Sequence, residues 1–178
     1  MAAIDGSSLL MMEAVAILTD WRLVKTFECE AVLQEDLELG EQLFHVRAEP
    51  RHSSYIVTDR ATGRQSSYDD RTGLVNTAGF VKRRQAHDLV FEPSPARLAF
   101  PLTLPIWGRR RDAYRMVDAT ESNGQLNVRL AASSDGSVAG ELAIDLGLRV
   151  AVRIDAPTLH LEYRGIVPAR SQFDQFGD

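Results

Sequence analysis

The 178 residues carry 25 acidic and 20 basic side chains, a formal charge of −5, and 44% hydrophobic residues. That size and balance suit one domain over residues 1–178 with its own buried core, and they argue against a protein that coats nucleic acid, whose affinity rests on neutralising phosphates. The lone cysteine, Cys29, rules out an intrachain disulfide and fits a reducing, cytoplasmic setting, and neither a cofactor nor a metal is needed to hold a core of this size.

The first element is a helix. Ser7 or Ser8 is placed to cap it, and it runs to about Thr19. Leu10, Ala14, Ile17, Leu18 and Trp21 fall on one helical face. Leu9, Met11, Met12 and Val15 lie off that stripe, so the helix is apolar nearly all round. Such a helix is buried on several sides or lids an apolar space. Leu9–Leu18 has the length of a signal-peptide core, yet Glu13 interrupts it and Asp5 rather than a basic residue precedes it. It is also too short to span a bilayer.

From Val24 the period changes to two. Phe27, Cys29, Ala31 and Leu33 alternate with Glu28, Glu30, Val32 and Gln34, and Phe44, Val46 and Ala48 with Leu43, His45 and Arg47. Tyr55–Thr58 and Arg64–Tyr68 are short runs parted by Asp59-Arg60-Ala61-Thr62-Gly63, a hairpin loop, and Asp69-Asp70-Arg71-Thr72-Gly73 is a second loop of the same kind. Residues 77–87 break the alternation and read as a long loop or short helix with Lys82, Arg83 and Arg84. Leu98, Phe100, Leu102, Leu104 and Ile106 share one parity, with Pro101 and Pro105 on the other, which reads as an edge or bent strand. Strands follow near Ala113–Thr120, Gln125–Ala131 and Val138–Asp155, the last divided by a turn near Gly147, and Leu159–Tyr163 forms a final strand. The acidic tail from Pro168 is expected to fray.

Nine to eleven short strands with hairpin connections and one N-terminal helix predict a mainly β fold. Its economical form is a strongly curved antiparallel sheet, barrel or half-barrel with the helix packed on or in it.

Signatures of chemistry are sparse. His45, His52, His87 and His160 have no metal-ligand spacing, no serine sits in a nucleophile elbow, and no glycine-rich run cradles phosphate. Cys29 reads as an inert core thiol, and Asp69-Asp70 as a turn organiser. Trp107-Gly108-Arg109-Arg110-Arg111 follows the most hydrophobic run, and an aromatic beside guanidinium groups can hold an anion. A solvated turn is the other reading of that cluster.

Over Lys25–Asp70 the order is strand, turn, strand ending in Pro50, strand, Asp-x-x-Thr-Gly turn and strand, through KTFECEAVLQ, QLFHVRAEP, SYIVTDRATG and RQSSYDD. This order resembles the opening of the LolA-like lipoprotein and lipid carriers, half-barrels closed by helices. The resemblance covers about a quarter of the chain and implies an apolar cavity between curved sheet and helix.

The leading expectation is a non-enzymatic binding module for a hydrophobic small molecule, neutral or anionic. Leu102, Leu104, Trp107, Arg109 and Arg110 are its candidate ligand-binding residues. Two alternatives stay open: an isomerase or cyclase acting by positioning inside a barrel, with Tyr55, Tyr114 and Tyr163 as its ionisable groups, or an assembly subunit using an edge strand, which also offers a route to a homo-oligomer. No nucleic-acid partner and no membrane span are expected.

Overall fold

The computed structural model describes residues 6–20, 23–35, 40–85 and 92–171. Helix α1 (Gly6–Thr19) is built from strong helix formers, and the Thr19 hydroxyl donates back to the Val15 carbonyl at its last turn. Ala14, Ile17 and Leu18 are buried, with Leu10 packed beside them, as the stripe requires; Trp21 lies outside the described residues. Ser7 serves a tertiary contact, its hydroxyl bonding the Asp118 carboxylate.

Eleven antiparallel strands follow among the described residues: β1 (Phe27–Gln34), β2 (Gln42–Glu49), β3 (Ser54–Asp59), β4 (Gln65–Asp69), β5 (Leu74–Thr77), β6 (Phe80–Arg83), β7 (Tyr114–Ser122), β8 (Gln125–Ala132), β9 (Val138–Asp145), β10 (Val150–Ala156) and β11 (Leu159–Pro168). They make one curved, open sheet in the order β6-β5-β4-β3-β2-β1-β11-β10-β9-β8-β7. One meander runs outward from β1 to β6. The chain then crosses over, and a second meander returns from β7 to β11, closing β11 against β1. The curvature does not complete a barrel, and β6 and β7 are its edges.

Two of the sequence-level assignments are corrected. Of residues 77–87, read as a long loop or short helix, 86 and 87 lie outside the described part and 77–83 belong to the β5–β6 hairpin. Its two-residue turn has Ala78 at φ 50° and Gly79 at φ 96°, the left-handed pair that matches strand twist. Residues 98–106, read as a strand, contain none. Pro95 and Pro101 open 3-10 turns at Ser94–Ala96 and Pro101–Thr103 instead. The prolines fix φ and remove donors that a ladder needs, so the crossover coils over the concave face, its Ser94–Ala96 turn packing on β1, β2 and β3 and its Pro101–Thr103 turn on α1. Leu98, Leu104 and Ile106 are wholly buried there.

The Asp59 and Asp69 loops follow their shared pattern. Each carboxylate accepts two backbone N–H groups, from Ala61 and Thr62 and from Arg71 and Thr72, and Gly63 and Gly73 close the loops with positive φ. At the start of the tail, Ala169 N–H donates to the Thr26 carbonyl, and buried Ser171 donates to Glu49. Residues 172–178 lie outside the described part.

The two faces of the sheet differ. Phe27, Cys29, Ala31 and Leu33, with Val46, Val57, Leu126, Val128, Ile144, Ile154 and Leu161, point at α1 and the crossover. The outer face carries cross-strand pairs, among them Arg47–Glu28 at 2.9 Å, Arg60–Glu30 at 3.2 Å and Arg153–Glu141 at 3.4 Å. Cys29 is buried beside Tyr163, and desolvation with nearby Glu30 pushes its thiol up to about 12. A thiol reagent therefore modifies Cys29 slowly in the native protein and at full rate in denaturant. Equal rates would place it on the outer face. The native thiol holds its proton while the unfolded one loses it, so this contribution to stability is complete below pH 9 and falls towards pH 12.

Candidate functional site

Where the chain enters β1, it passes the turn between β9 and β10 and the end of β11. Leu23, Val24, Phe27, Leu148, Val150, Ile166 and Pro168 there enclose a cleft of about 340 Å³. Val24, Phe27 and Val150 are buried, while Leu23 and Leu148 stand 62% and 42% exposed at its rim.

Backbone irregularities build this shape. The β1–β11 register shifts between Glu28 and Glu30, with Gly165 at φ 61°, so Cys29 faces an extra residue and Ile166 is turned towards the cleft. A second bulge on β10, between Ala151 and Arg153, lies close by. The β9–β10 turn is pinned by Leu148 N–H donating to the Asp145 carboxylate at 2.8 Å, and it places Arg149 at φ 54°. A left-handed arginine is strained, and such strain persists where the surroundings over-determine it.

Lys25 and Arg149 are the cations of the lining, and neither has an ion pair with a described residue. Most guanidinium groups on the outer face, in contrast, meet carboxylates. The Leu23–Thr26 segment also walls a wider polar cleft of about 730 Å³ with Arg51, His52, Ala169 and Ser171. At the other end of β1, a groove of about 610 Å³ is lined by Glu35, Glu41, Asp155 and His160, with the imidazole 3.4 Å from Asp155.

The sequence-derived candidates lie elsewhere. Leu102 and Leu104, expected on one strand face, are parted by the 3-10 turn: Leu102 is 39% exposed and Leu104 wholly buried. The half-buried Trp107 donates its indole N–H to the Pro101 carbonyl at 2.9 Å. Arg109 is held by Asp112 at 2.9 Å and by the Leu104 carbonyl at 3.0 Å, and Arg110 is exposed. These five share one loop, but they do not line the 340 Å³ cleft.

The tyrosines have structural partners. Tyr163 donates to the Pro95 carbonyl at 2.8 Å and accepts from Ala99 N–H at 3.3 Å, tying the crossover to β11. Tyr114 and Thr158 share a 2.8 Å bond. Burial pushes Tyr55 up to about 12 and Tyr163 well above its ordinary value, so both phenols stay protonated. His45 sits 3.7 Å from Glu28 on the outer face; His87 is outside the described residues.

Sequence reasoning missed the cleft because its walls come from three distant segments. Phe27 and Val150 were read only as core, and the bulge that turns Ile166 follows the last residues assigned to β11. Gly147 was the one local signal, marking the turn that presents Leu148 and Arg149.

No protein-family model matches this chain, and no curated protein matches it. Solved structures do. MucB is 12% identical over 97% of this chain and 64% of its own, with a TM-score of 0.51. An uncharacterized conserved protein from Thermus thermophilus is 12% identical over 93% of this chain and 91% of its own, at 0.49. MucB in complex with MucA(peri) is 12% identical over 94% and 59%, at 0.47. At this identity MucB shares the fold alone, and the present chain spans 64% of that protein's length. What the chain shares with the LolA-like resemblance at this level is a curved, open antiparallel sheet with a helix packed on it.

Proposed function

We propose that this protein is a binding module for a hydrophobic, anionic small molecule held in the cleft between Leu23–Phe27, the β9–β10 turn and the end of β11. The observation that carries this reading is an apolar cleft whose cations, Lys25 and Arg149, lack carboxylate partners among the described residues. Ligand sites are concave and mostly apolar, with a few polar groups that fix orientation. The lining offers no paired acid and base, so the arrangement supports holding a ligand rather than transforming it.

A medium-chain fatty acid such as decanoate fits this chemistry. Burying about nine carbons at roughly 0.8 kcal/mol each yields about 7 kcal/mol, which exceeds a low-end association cost of roughly 4 kcal/mol. A carboxylate bond to Arg149 or Lys25 adds roughly 1.5 to 3 kcal/mol.

Calorimetric titration of decanoate then gives saturable binding. Leu148→Asp, a change at an exposed turn, abolishes it, and Arg149→Ala weakens it about tenfold. No saturable heat at millimolar decanoate, or full binding by Leu148→Asp, removes this reading.

A further inference from the structure

The crossover leaves the core at Leu104 and Ile106 and turns sharply before β7. Asp112 organises this turn: its carboxylate accepts from the backbone N–H groups of Trp107 and Arg109, each at 3.1 Å, and pairs with the Arg109 side chain. Trp107 pairs with Arg115 in an isolated bridge, and Gly108 N–H donates to the Tyr114 carbonyl. The loop is therefore fixed along both sides.

What this fixed loop presents is unusual for the molecule. Arg110, Arg111 and Arg115 are exposed and have no side-chain hydrogen bond or ion pair with any described residue, in a chain of net charge −5. On the outer face Arg47, Arg60, Arg129, Arg153 and Arg164 each meet a carboxylate. Beside the arginines lie half-buried Trp107 and exposed Leu102. Leu102 belongs to the 3-10 turn that packs against α1, whose Leu9 and Met12 are also exposed. Of the opposing charges, Asp112 is already committed to Arg109, and Asp135, in the turn whose Gly136 lies beside the Arg115 guanidinium, accepts from the Ser137 N–H and hydroxyl.

We infer that this loop docks the protein on an anionic lipid surface. The arginines would meet the headgroups, while Leu102 and the Trp107 ring reach the boundary below them. Cationic groups ringing a small apolar and aromatic set match the layering of a bilayer interface, where tryptophan and arginine sit at headgroup depth. Anionic leaflets attract such clusters, each basic residue contributing about fivefold in affinity. No described helix is long and apolar enough to cross a membrane, and the docking inferred here uses the loop's surface alone.

This surface is distinct from the 340 Å³ cleft, so each can fail without the other. The probes are vesicles of phosphatidylcholine with one-third phosphatidylglycerol, set against pure phosphatidylcholine, read by co-sedimentation and by Trp107 emission in a Trp21→Phe background. The intact protein binds the anionic vesicles, releases them as salt rises, and shifts Trp107 emission to shorter wavelength.

Arg110→Ala with Arg111→Ala, both at exposed turn positions, lowers affinity about 25-fold, whereas Arg129→Ala on the outer face leaves it unchanged. Equal binding to neutral vesicles, no binding to anionic ones, or equal losses from Arg129→Ala and the double variant would overturn the inference. Retention on immobilised polyglutamate with no vesicle binding would also overturn it, assigning the surface to an acidic protein partner.

Discussion

Replacing Gly140 with alanine lowers the melting temperature by roughly 10 °C. In β9, Gly140 faces the backbone of β10, and a Cβ built there meets the Asp155 carbonyl oxygen at 2.2 Å and the Ala156 Cα at 3.0 Å. Neither neighbour is the end of a flexible side chain, so the strands themselves must separate. Overpacking of this kind costs roughly 1 to 3 kcal/mol and more where backbone must move. At this chain length, about 3 kcal/mol corresponds to roughly 6 to 12 °C.

Gly63→Ala is the control. Gly63 has φ 69° and nothing within 4 Å of its added Cβ, so that substitution carries only the left-handed backbone cost of about 1 to 2 kcal/mol. Thermal melts of the two variants separate the effects. A Gly140→Ala melt within about 2 °C of the parent would mean that β9 and β10 do not approach this closely.

Tyr163→Ala destabilises the protein by about 4 kcal/mol, and Tyr163→Phe by about 2 kcal/mol. The ring packs against Phe27 at a centroid distance of 5.9 Å and is almost wholly buried, so truncation to alanine opens a cavity in the concave face. Loss of the hydroxyl alone leaves the Pro95 carbonyl and Ala99 N–H, both in the buried crossover, without the phenol. Unpaired buried groups of this kind cost roughly 1 to 3 kcal/mol.

The phenylalanine variant is the more informative one. It keeps the ring and tests whether Tyr163 fastens the crossover to the sheet. Urea unfolding measures both costs, and proteolysis near Pro95 follows the crossover itself. A phenylalanine variant as stable as the parent, with an equally resistant crossover, would show that packing of Leu98, Leu104 and Ile106 suffices to hold that segment.

Local patterns announced most of the scaffold. The helical stripe of α1, the two Asp-to-Gly loops and the split near Gly147 depend on neighbours a few residues apart, and each stands where its pattern requires. Alternation is likewise a local property, and it identified the buried face of β1 and β2. The β5–β6 hairpin escaped because its turn is Ala78-Gly79, whose first residue does not advertise positive φ.

Alternation misled at 98–106. Three of the five apolar residues there are wholly buried, but turns beginning at proline bury them and leave Leu102 outside, so spacing of two was no proof of a strand. The ligand-binding residues expected there, Leu102, Leu104, Trp107, Arg109 and Arg110, share that crossover loop. Arg109 and Arg110 stand exposed beside half-buried Trp107 in a turn held by Asp112, a contact no spacing rule announces.

Composition and periodicity by themselves determined a mainly β chain with one apolar helix and a charged outer face, because those traits follow from which side chains must avoid water. Only the tertiary structure decided that the sheet stays open and that β11 closes on β1. It also decided that two bulges and a left-handed arginine gather Leu23, Phe27, Leu148 and Ile166 around one cleft. These residues come from opposite ends of the chain and from separate strands and turns. Their meeting depends on strand register, which turns on the burial of a whole face at once.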